Sequence, residues 1–301
     1  MAVENCTGFP DFILLGLSGR QDVQRGLSVL FLLVYGITVI TNLEMVWLIT
    51  MDPRLHSPMY YFLSNLSFCD VCYCSTTIPY NLCAIQMFLF GAFADVECLL
   101  LAVMAYDRYV AICNPLLYTV TMSRSICTQL VAIAYLVGLV DSAIHTCCTF
   151  RLLFCNSNTI NHFFCDIPPL LALSSSDTSI NEMVMFTFIC CVVGFVILLI
   201  SYTVILVSLR KQSPDGRHKA LSTYGSHIAV VIIFFGPCTF MYMRPDTTFS
   251  EDKMVAAFYT IITPMLNPLI YTMRNAEVKT AMKKLWVRKV FSEKLMINNW
   301  T

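Results

Sequence analysis

Residues 86–112 read QMFLFGAFADVECLLLAVMAYDRYVAI, an apolar run whose only charged residues are Asp95, Glu97, Asp107 and Arg108. Phe90, Ala94, Glu97, Leu101, Met104 and Arg108 recur at steps of three or four, which places them on one face of a helix. That face is apolar at its first end, acidic in the middle and cationic in its last turn. A bilayer core about 30 Å thick takes roughly 20 residues of apolar helix, and this run supplies them. A charge near mid-bilayer costs about 2.5–3.5 kcal/mol on insertion scales, so acids such as Asp95 and Glu97 must face protein, water or ions instead of lipid.

The rest of the chain repeats this signature. Apolar stretches at about 25–50, 57–80, 126–148, 183–209, 220–243 and 254–273 join 86–112 to make seven spans. The sequence therefore predicts an all-α membrane protein with an N-terminus at 1–24, a seven-span helix bundle over 25–273 and a tail at 274–301. The longest loop is 149–182. In the tail, Val278, Met282, Leu285 and Trp286 recur at helical spacing among Lys279, Lys283, Lys284 and Arg288, the pattern of a basic amphipathic helix lying on a membrane surface. Composition agrees: 57% of residues are hydrophobic and 13% charged, with zero formal net charge, whereas a globular domain carries roughly 25% charged residues. Nothing in that balance points to nucleic acid. The 15 cysteines are too dilute for a disulfide-stapled mini-domain, and most (Cys69, Cys72, Cys74, Cys98, Cys190, Cys191 and Cys238 among them) sit in apolar runs as small hydrophobes.

Loop charges orient the bundle. Arg54, Arg108, Arg124, Arg210, Lys211, Arg217, Lys219 and the basic tail fall on one side, against Arg20, Arg25, Arg151, Arg244 and Lys253 on the other. The positive-inside rule then puts the C-terminus in the cytosol and the N-terminus outside. Asn5-Cys6-Thr7, a glycosylation acceptor, lies on the outer side. Two further acceptors are expected to be inert, Asn65-Leu66-Ser67 inside the second span and Asn299-Trp300-Thr301 in the cytosol. The first twenty-odd residues lack a basic start followed by a long apolar run, so no cleaved signal peptide is expected.

Several motifs recur in a fixed order. Pro58-Met59-Tyr60-Tyr61-Phe62-Leu63-Ser64 opens the second span and Leu66-Ser67-Phe68-Cys69-Asp70 follows. Met104-Ala105-Tyr106-Asp107-Arg108-Tyr109-Val110-Ala111-Ile112-Cys113 closes the third. Ser201-Tyr202 lies in the fifth, and Lys219-Ala220, Ser222-Thr223 and Ser226-His227 open the sixth. Pro264-Met265-Leu266-Asn267-Pro268-Leu269-Ile270-Tyr271 closes the seventh, ahead of Arg274-Asn275. A lone Asp-Arg-Tyr is a weak signal; the ordered set, from about Phe9 to Lys289, resembles the odorant receptors, a branch of the rhodopsin-like G protein-coupled receptors. The long loop looks more like the terrestrial-type class, whose ligands are mainly volatile and hydrophobic.

That resemblance implies roles residue by residue. Arg108 matches the arginine that pairs with Asp107 at rest, beside Tyr109, and turns to the G protein on activation. Tyr202 and Tyr271 match tyrosines that swing inward to hold the active state. Asn267-Pro268 matches the seventh-span bend, where proline removes a backbone hydrogen bond. Asp70 and Glu97 match a buried acid pair that holds a sodium ion at rest; two close carboxylates rarely both ionise without a cation, and a shared proton is the alternative. No other cofactor is implied. Cys83 and Cys165 match the bridge that pins the long loop over the pocket, on the oxidising side. His162-Phe163-Phe164-Cys165 hints at a soft metal site, but two ligands do not make one. The implied ligand pocket takes Phe90, Gly91, Ala94 and Asp95 from the third span, and Phe186, Thr187 and Cys190 from the fifth. Phe235, Cys238, Thr239 and Tyr242 come from the sixth, Tyr259 and Thr260 from the seventh. An acid in such an apolar pocket, Asp95, either selects a polar or amine-bearing ligand or is itself protonated.

The sequence also departs from the family pattern. Ser175 stands where a third loop cysteine is usual, so Cys155 is expected to be a free thiol or to be caught by Cys147 or Cys148. Thr41 replaces the usual Gly before the first-span Asn42, Glu44 stands where Gly is common, and Phe235 replaces the usual sixth-span Tyr.

Three function classes compete. A receptor binds an odorant outside, shifts its bundle, and makes a stimulatory olfactory G protein exchange nucleotide and raise cAMP; the plasma membrane is its implied location. A transporter would use Asp70 and Glu97 as ion couplers, but the chain has no repeated half and no paired broken helices. An enzyme would need a catalytic constellation, and no Gly-x-Ser-x-Gly or His-Glu-x-x-His is present.

Overall fold

In the computed structural model, residues 12–17, 20–76, 83–155, 158–186, 198–204, 228–238, 250–274 and 278–284 are described, with single positions at 196, 207 and 225. Most of them are helical. In chain order they form α1 (Gln21–Met51), α2 (Pro58–Thr76), α3 (Cys83–Cys113), the short α4 (Tyr118–Thr121) and α5 (Arg124–Phe150). The long loop then carries α6 (Ile167–Leu173), and α7 (Ser179–Phe186) opens the fifth stretch. Next come helical backbone at 198–204 and α8 (Ile228–Cys238). The seventh stretch is α9 (Ser250–Ala257), a π-helical turn (Phe258–Ile262) and α10 (Thr263–Arg274). Gln21–Met51, Cys83–Cys113, Arg124–Phe150 and Lys253–Tyr271 are each long and apolar enough to cross a membrane. Their outward faces suit lipid: Leu30, Leu32, Leu33 and Ile40 on α1 and Ile133 and Leu136 on α5 are all more than half exposed, an apolar skin too extensive for water.

α3 is the central post. Leu100, Leu101 and Ala105 are fully buried, and the helix packs chiefly on α5 and α2. Without a hydrophobic driving force between helices in lipid, close approach depends on small residues. Gly138 provides it on α5, where a Cβ would come within 2.9 Å of the Ala92 carbonyl oxygen. One turn on, the Ser142 hydroxyl donates to the Phe88 carbonyl at 2.6 Å, locking α5 onto α3.

α1 closes on α10 through a backbone defect. Pro268 has no N–H, so the Pro264 carbonyl loses its normal helical donor. The Asn42 amide replaces it, donating to Pro264 O and to Thr38 O at 3.0 Å each. Asn42→Ala should leave that buried carbonyl unsatisfied and cost about 1–3 kcal/mol. A lower thermal midpoint for the purified receptor is the expected result; an unchanged midpoint would mean that another donor serves Pro264.

At the end of the bundle that carries the long loop, the chain before α1 joins the loop. β1 (Ile13–Leu14) pairs in parallel with β2 (Thr159–Ile160). The Gly16 N–H continues the contact by donating to the His162 carbonyl at 3.1 Å. Gly16 does so at φ +74°, a left-handed conformation that favours glycine. Cys83 and Cys165 are disulfide-bonded, with their Cα atoms 5.5 Å apart. Gln86 doubles this link: its amide donates to Thr76 O and its oxygen accepts the Cys165 N–H, both at 3.0 Å.

The expectation for Cys155 needs correcting. Cys155 is disulfide-bonded, whereas Cys147 and Cys148 are free thiols. Ser175 does sit where a partner would, its hydroxyl accepting the Cys155 N–H at 3.3 Å. A hydroxyl cannot bridge, and the sulfur is engaged elsewhere.

Candidate functional site

Between α2, α3, α5, α6, α8 and the π turn lies a cavity of about 40 Å³. At roughly 10–15 Å³ per water it admits a few waters. Its main wall is aromatic. Phe90 stacks on Tyr73 with ring centroids 4.8 Å apart, and Phe164 and Tyr259 close around the same ring at 4.8 and 6.3 Å. Met87, Ala94, Ile167, Phe234 and Cys238 complete the apolar lining. The opposite corner is polar: Asp95, Ser142, His145 and Thr146 face in from α3 and α5. Asp95 is 1% exposed, and the His145 Nε2 stands 3.7 Å from Asp141 Oδ2 one turn before it.

The loop forms the roof and is tied down at separate points. Asp166 caps α6 by accepting the Ile167 N–H at 2.8 Å, and its second oxygen accepts the Tyr259 hydroxyl at 3.0 Å. Roof and seventh stretch are thereby fastened at the cavity edge. Lys253 donates to Gly16 O at 3.1 Å and to Asn161 Oδ1 at 2.7 Å, joining the N-terminal strand, the loop and the start of the seventh stretch. His162 is buried in the roof between Phe163 and Phe164. Burial pushes its imidazole down to about 4, so it is neutral at physiological pH. The sign follows from linkage: the unfolded chain binds the proton first, so this contribution to stability is complete above pH ~6.5 and is lost as pH falls toward 4. Among the described residues no group of three His, Cys, Asp or Glu side chains could hold a metal ion.

Midway along α3, Glu97 meets Asp70 of α2, both fully buried. The Asn267 amide donates to both Asp70 oxygens (3.0 and 3.1 Å) and to Glu97 Oε1 (2.9 Å). Glu97 Oε2 and Asn267 Oδ1 are buried with no further hydrogen bond among the described residues. Two carboxyl groups this close and this buried rarely both ionise without a cation, and a proton shared between them answers the same need.

At the far end of α3, Arg108 donates to Asp107 Oδ2 through Nε at 3.0 Å and Nη2 at 2.6 Å. Tyr118 of α4 donates its hydroxyl to Asp107 Oδ1 at 2.8 Å. Asp107 is thus held on both oxygens. Tyr109 packs beside Tyr202, Ile112 and Ile228, and Tyr202 lies against the core that contains the buried Tyr271.

Comparison with known proteins decides what this arrangement belongs to. A family profile described as olfactory receptor matches residues 31–289. Human olfactory receptor 5W2 is 52% identical, the alignment covering 94% of this chain and 97% of that protein. Mouse olfactory receptor 5AP2 is 51% identical over 94% and 95% of the two chains, and human olfactory receptor 4S2 50% identical over 97% and 99%. The chain belongs to the olfactory receptor family. It is accordingly a G protein-coupled receptor of seven membrane-spanning helices, and not an enzyme.

In this olfactory receptor the structure brings Phe90, Gly91, Ala94, Asp95, Cys238 and Tyr259 together on the cavity. Phe235 and Thr260 do not line it. Phe235 turns into the core edge-on to Phe234, which takes the wall position instead, and the Thr260 hydroxyl is spent on the Ala256 carbonyl. Thr187, Cys190, Thr239 and Tyr242 lie outside the described residues, as do Asn5 and the side chain of Phe186. Sequence reasoning missed Tyr73, Ser142, His145, Thr146 and Asp166 on the cavity, and Tyr118 at Asp107. A signal existed for one of them: Asp166 directly precedes Ile167-Pro168, an N-cap followed by proline in the first helical turn.

Proposed function

We propose that this receptor binds small, mostly hydrophobic volatile ligands from the extracellular side and activates a stimulatory olfactory G protein, raising cAMP. It sits in the plasma membrane with its N-terminus outside and its tail in the cytosol. The supporting observation is the layout of α3. One helix carries the cavity wall at Phe90–Asp95, the buried acid cluster at Glu97 and the Asp107–Arg108 lock, about 20 Å apart from Ala94 to Arg108 at 1.5 Å per residue. A ligand that favours one position of α3 therefore acts on the lock without touching it. A cAMP response to odorants in cells that display the receptor and supply the G protein supports the reading; solute flux without cAMP would point to a transporter.

A volatile ligand of on the order of 10–15 heavy atoms, at ~0.4–0.5 kcal/mol per atom, gains about 5–7 kcal/mol. The corresponding dissociation constant is roughly ten to a few hundred micromolar. Asp95 adds selectivity at the polar corner. Asp95→Asn should weaken ligands that hydrogen-bond or ion-pair there about tenfold and leave hydrocarbons unchanged, read from dose–response curves. Equal potency for every ligand would make Asp95 structural.

Asp70, Glu97 and Asn267 are the residues that would hold a sodium ion in the resting state, and a bound cation would offset one of the two negative charges of the acid pair. Glu97→Gln removes one charge and with it the need for the ion. Basal cAMP should fall with added sodium in the unaltered receptor and become insensitive to sodium in Glu97→Gln. Sodium-insensitive basal activity in both would leave a shared proton as the neutralising charge.

A further inference from the structure

We infer that the lipid-facing side of α1 is the surface on which a second copy of this receptor docks, with the two Glu44 carboxyl groups meeting across a two-fold axis. Glu44 takes no part in the cavity, the acid cluster or the Asp107–Arg108 lock. It is exposed, and the ion pairs and hydrogen bonds of the described residues do not include it. It nevertheless lies within the span. Met51 ends α1 seven residues later, about 10 Å along the axis at 1.5 Å per residue. Helical side chains lean toward the N-terminal end, so the carboxyl leans away from this nearer end of the helix instead of reaching out to water. An ionisable group in the membrane is costly and faces protein, water or an ion. Lipid suits the apolar neighbours of Glu44; it does not suit Glu44.

Those neighbours form a seam. Leu30, Leu33, Ile37, Ile40, Trp47 and Met51 are each about half exposed or more, and with Glu44 they run at alternating steps of three and four. That is the heptad spacing of a helix pair, in which a side chain of one helix enters a hole formed by four residues of the other. Leu33, Gly36, Ile37 and Ile40 outline such a hole on α1. Its flank is open, because nothing lies within 4 Å of where a Cβ on Gly36 would stand, and small residues let helices approach closely in lipid. Glu44 sits in the seam one turn further on, between Ile40 and Trp47.

The acid selects the occupant. Two receptors in one membrane share an orientation, so their α1 helices meet in parallel and a two-fold axis sets like positions of the seam against each other. Glu44 then meets Glu44 of the partner subunit, and two carboxyl groups at close range hydrogen-bond through a shared proton. Each gains the polar contact that a single receptor does not give it. The other outward faces do not offer this. Phe68, Ile133, Leu136, Ile232 and Leu269 mark those of α2, α5, α8 and α10 as apolar, and among the described residues none of them presents a cation to lipid at that depth. The Gln129 amide of α5 is exposed, but α1 against α5 is a head-to-tail contact that does not close on a pair.

Self-association of the full receptor at the cell surface tests this, read as energy transfer between two differently tagged copies over a range of surface densities. Transfer should saturate with density in the unaltered receptor, and Glu44→Leu should raise the density for half-maximal transfer about tenfold, the worth of a hydrogen bond between helices in lipid. Glu44→Gln should keep the association, because two amides hydrogen-bond across the same axis, and Gln129→Leu should leave it unchanged. Crosslinking identifies the face. Under oxidation Ile40→Cys should give a disulfide-linked dimer, whereas the unaltered receptor and Leu32→Cys, exposed on the same helix but off the seam, should not. These crosslinks are made in receptors that keep Glu44, so they read the face even where Glu44→Leu is poorly displayed. Transfer that rises only in proportion to density overturns the inference and leaves α1 to lipid or to a different protein. Unchanged association in Glu44→Leu, weakened association in Gln129→Leu, or equal crosslinking at positions 40 and 32 also overturns it. None of these readouts depends on a ligand response, so they stand apart from the proposed signalling.

Discussion

Cys83→Ser and Cys165→Ser are each expected to remove the receptor from the cell surface, to below about a tenth of the parent level. Removing a native disulfide from a small domain costs about 2–5 kcal/mol, against a total stability of only about 5–15 kcal/mol. Here the loss propagates. The bridge seats Cys165 where its N–H meets Gln86, and Gln86 in turn holds Thr76 at the end of α2. The next residue, Asp166, caps α6 and receives the Tyr259 hydroxyl. A loop freed from α3 therefore loses the cavity roof as well as its tether. Both substitutions break the same bond, so the double variant should be no worse than either single one. Surface labelling by flow cytometry reads this directly, and additive defects would show that the two cysteines act separately.

Arg108→Ala is expected to reduce odorant-evoked cAMP to background while at least half of the surface population remains. Its guanidinium is partly exposed while the Asp107 carboxylate is fully buried, so the arginine is available to an incoming partner and the acid is not. The structure adds a control that separates signalling from folding. Tyr118 holds the second oxygen of Asp107, and burial, followed by the charge of Asp107, pushes its phenol above the usual range. Tyr118 therefore stays protonated and remains a donor throughout the physiological range. Tyr118→Phe removes one hydrogen bond to a charged group, worth about 1.5–3 kcal/mol, without removing the arginine. Basal cAMP should rise several-fold in Tyr118→Phe and stay flat in Arg108→Ala. Loss of response in both at equal surface level would make the cluster a structural element and not a lock.

The sequence carried the architecture because hydropathy is local: a run such as 86–112 announces its own burial or its own contact with lipid. The acid pair and the Asp107–Arg108 pair were legible through motif and order. Residues that matter only through a distant neighbour were not. Gln86 reads as one polar residue in an apolar helix until the loop brings Cys165 to it, and Asn42 gains its role from Pro268, more than two hundred residues later. His145 and Thr146 look like the ordinary polar end of the fourth span, and become cavity walls only because Gly138 lets α5 close on α3. Phe235 and Phe234 cannot be told apart from spacing, since about 100° of helical rotation decides which one faces the cavity. Cys155 shows the opposite failure. Its usual partner is absent from the sequence, yet its sulfur is bonded, because disulfide pairing leaves no hydropathy signal.

The dose–response of odorant-evoked cAMP in the unaltered receptor and in Ala94→Phe, at matched surface levels, tests most directly whether the ligand acts from this cavity. Ala94 lines the cavity on the α3 face that carries Glu97 and Arg108, so a phenyl group there fills the space a ligand needs without altering the acid cluster or the lock. Half-maximal responses in the micromolar range are expected for the unaltered receptor, with at least a hundredfold loss of potency in Ala94→Phe. Unchanged potency for the same ligands would contradict it, because the signal would then arise from a site other than this cavity.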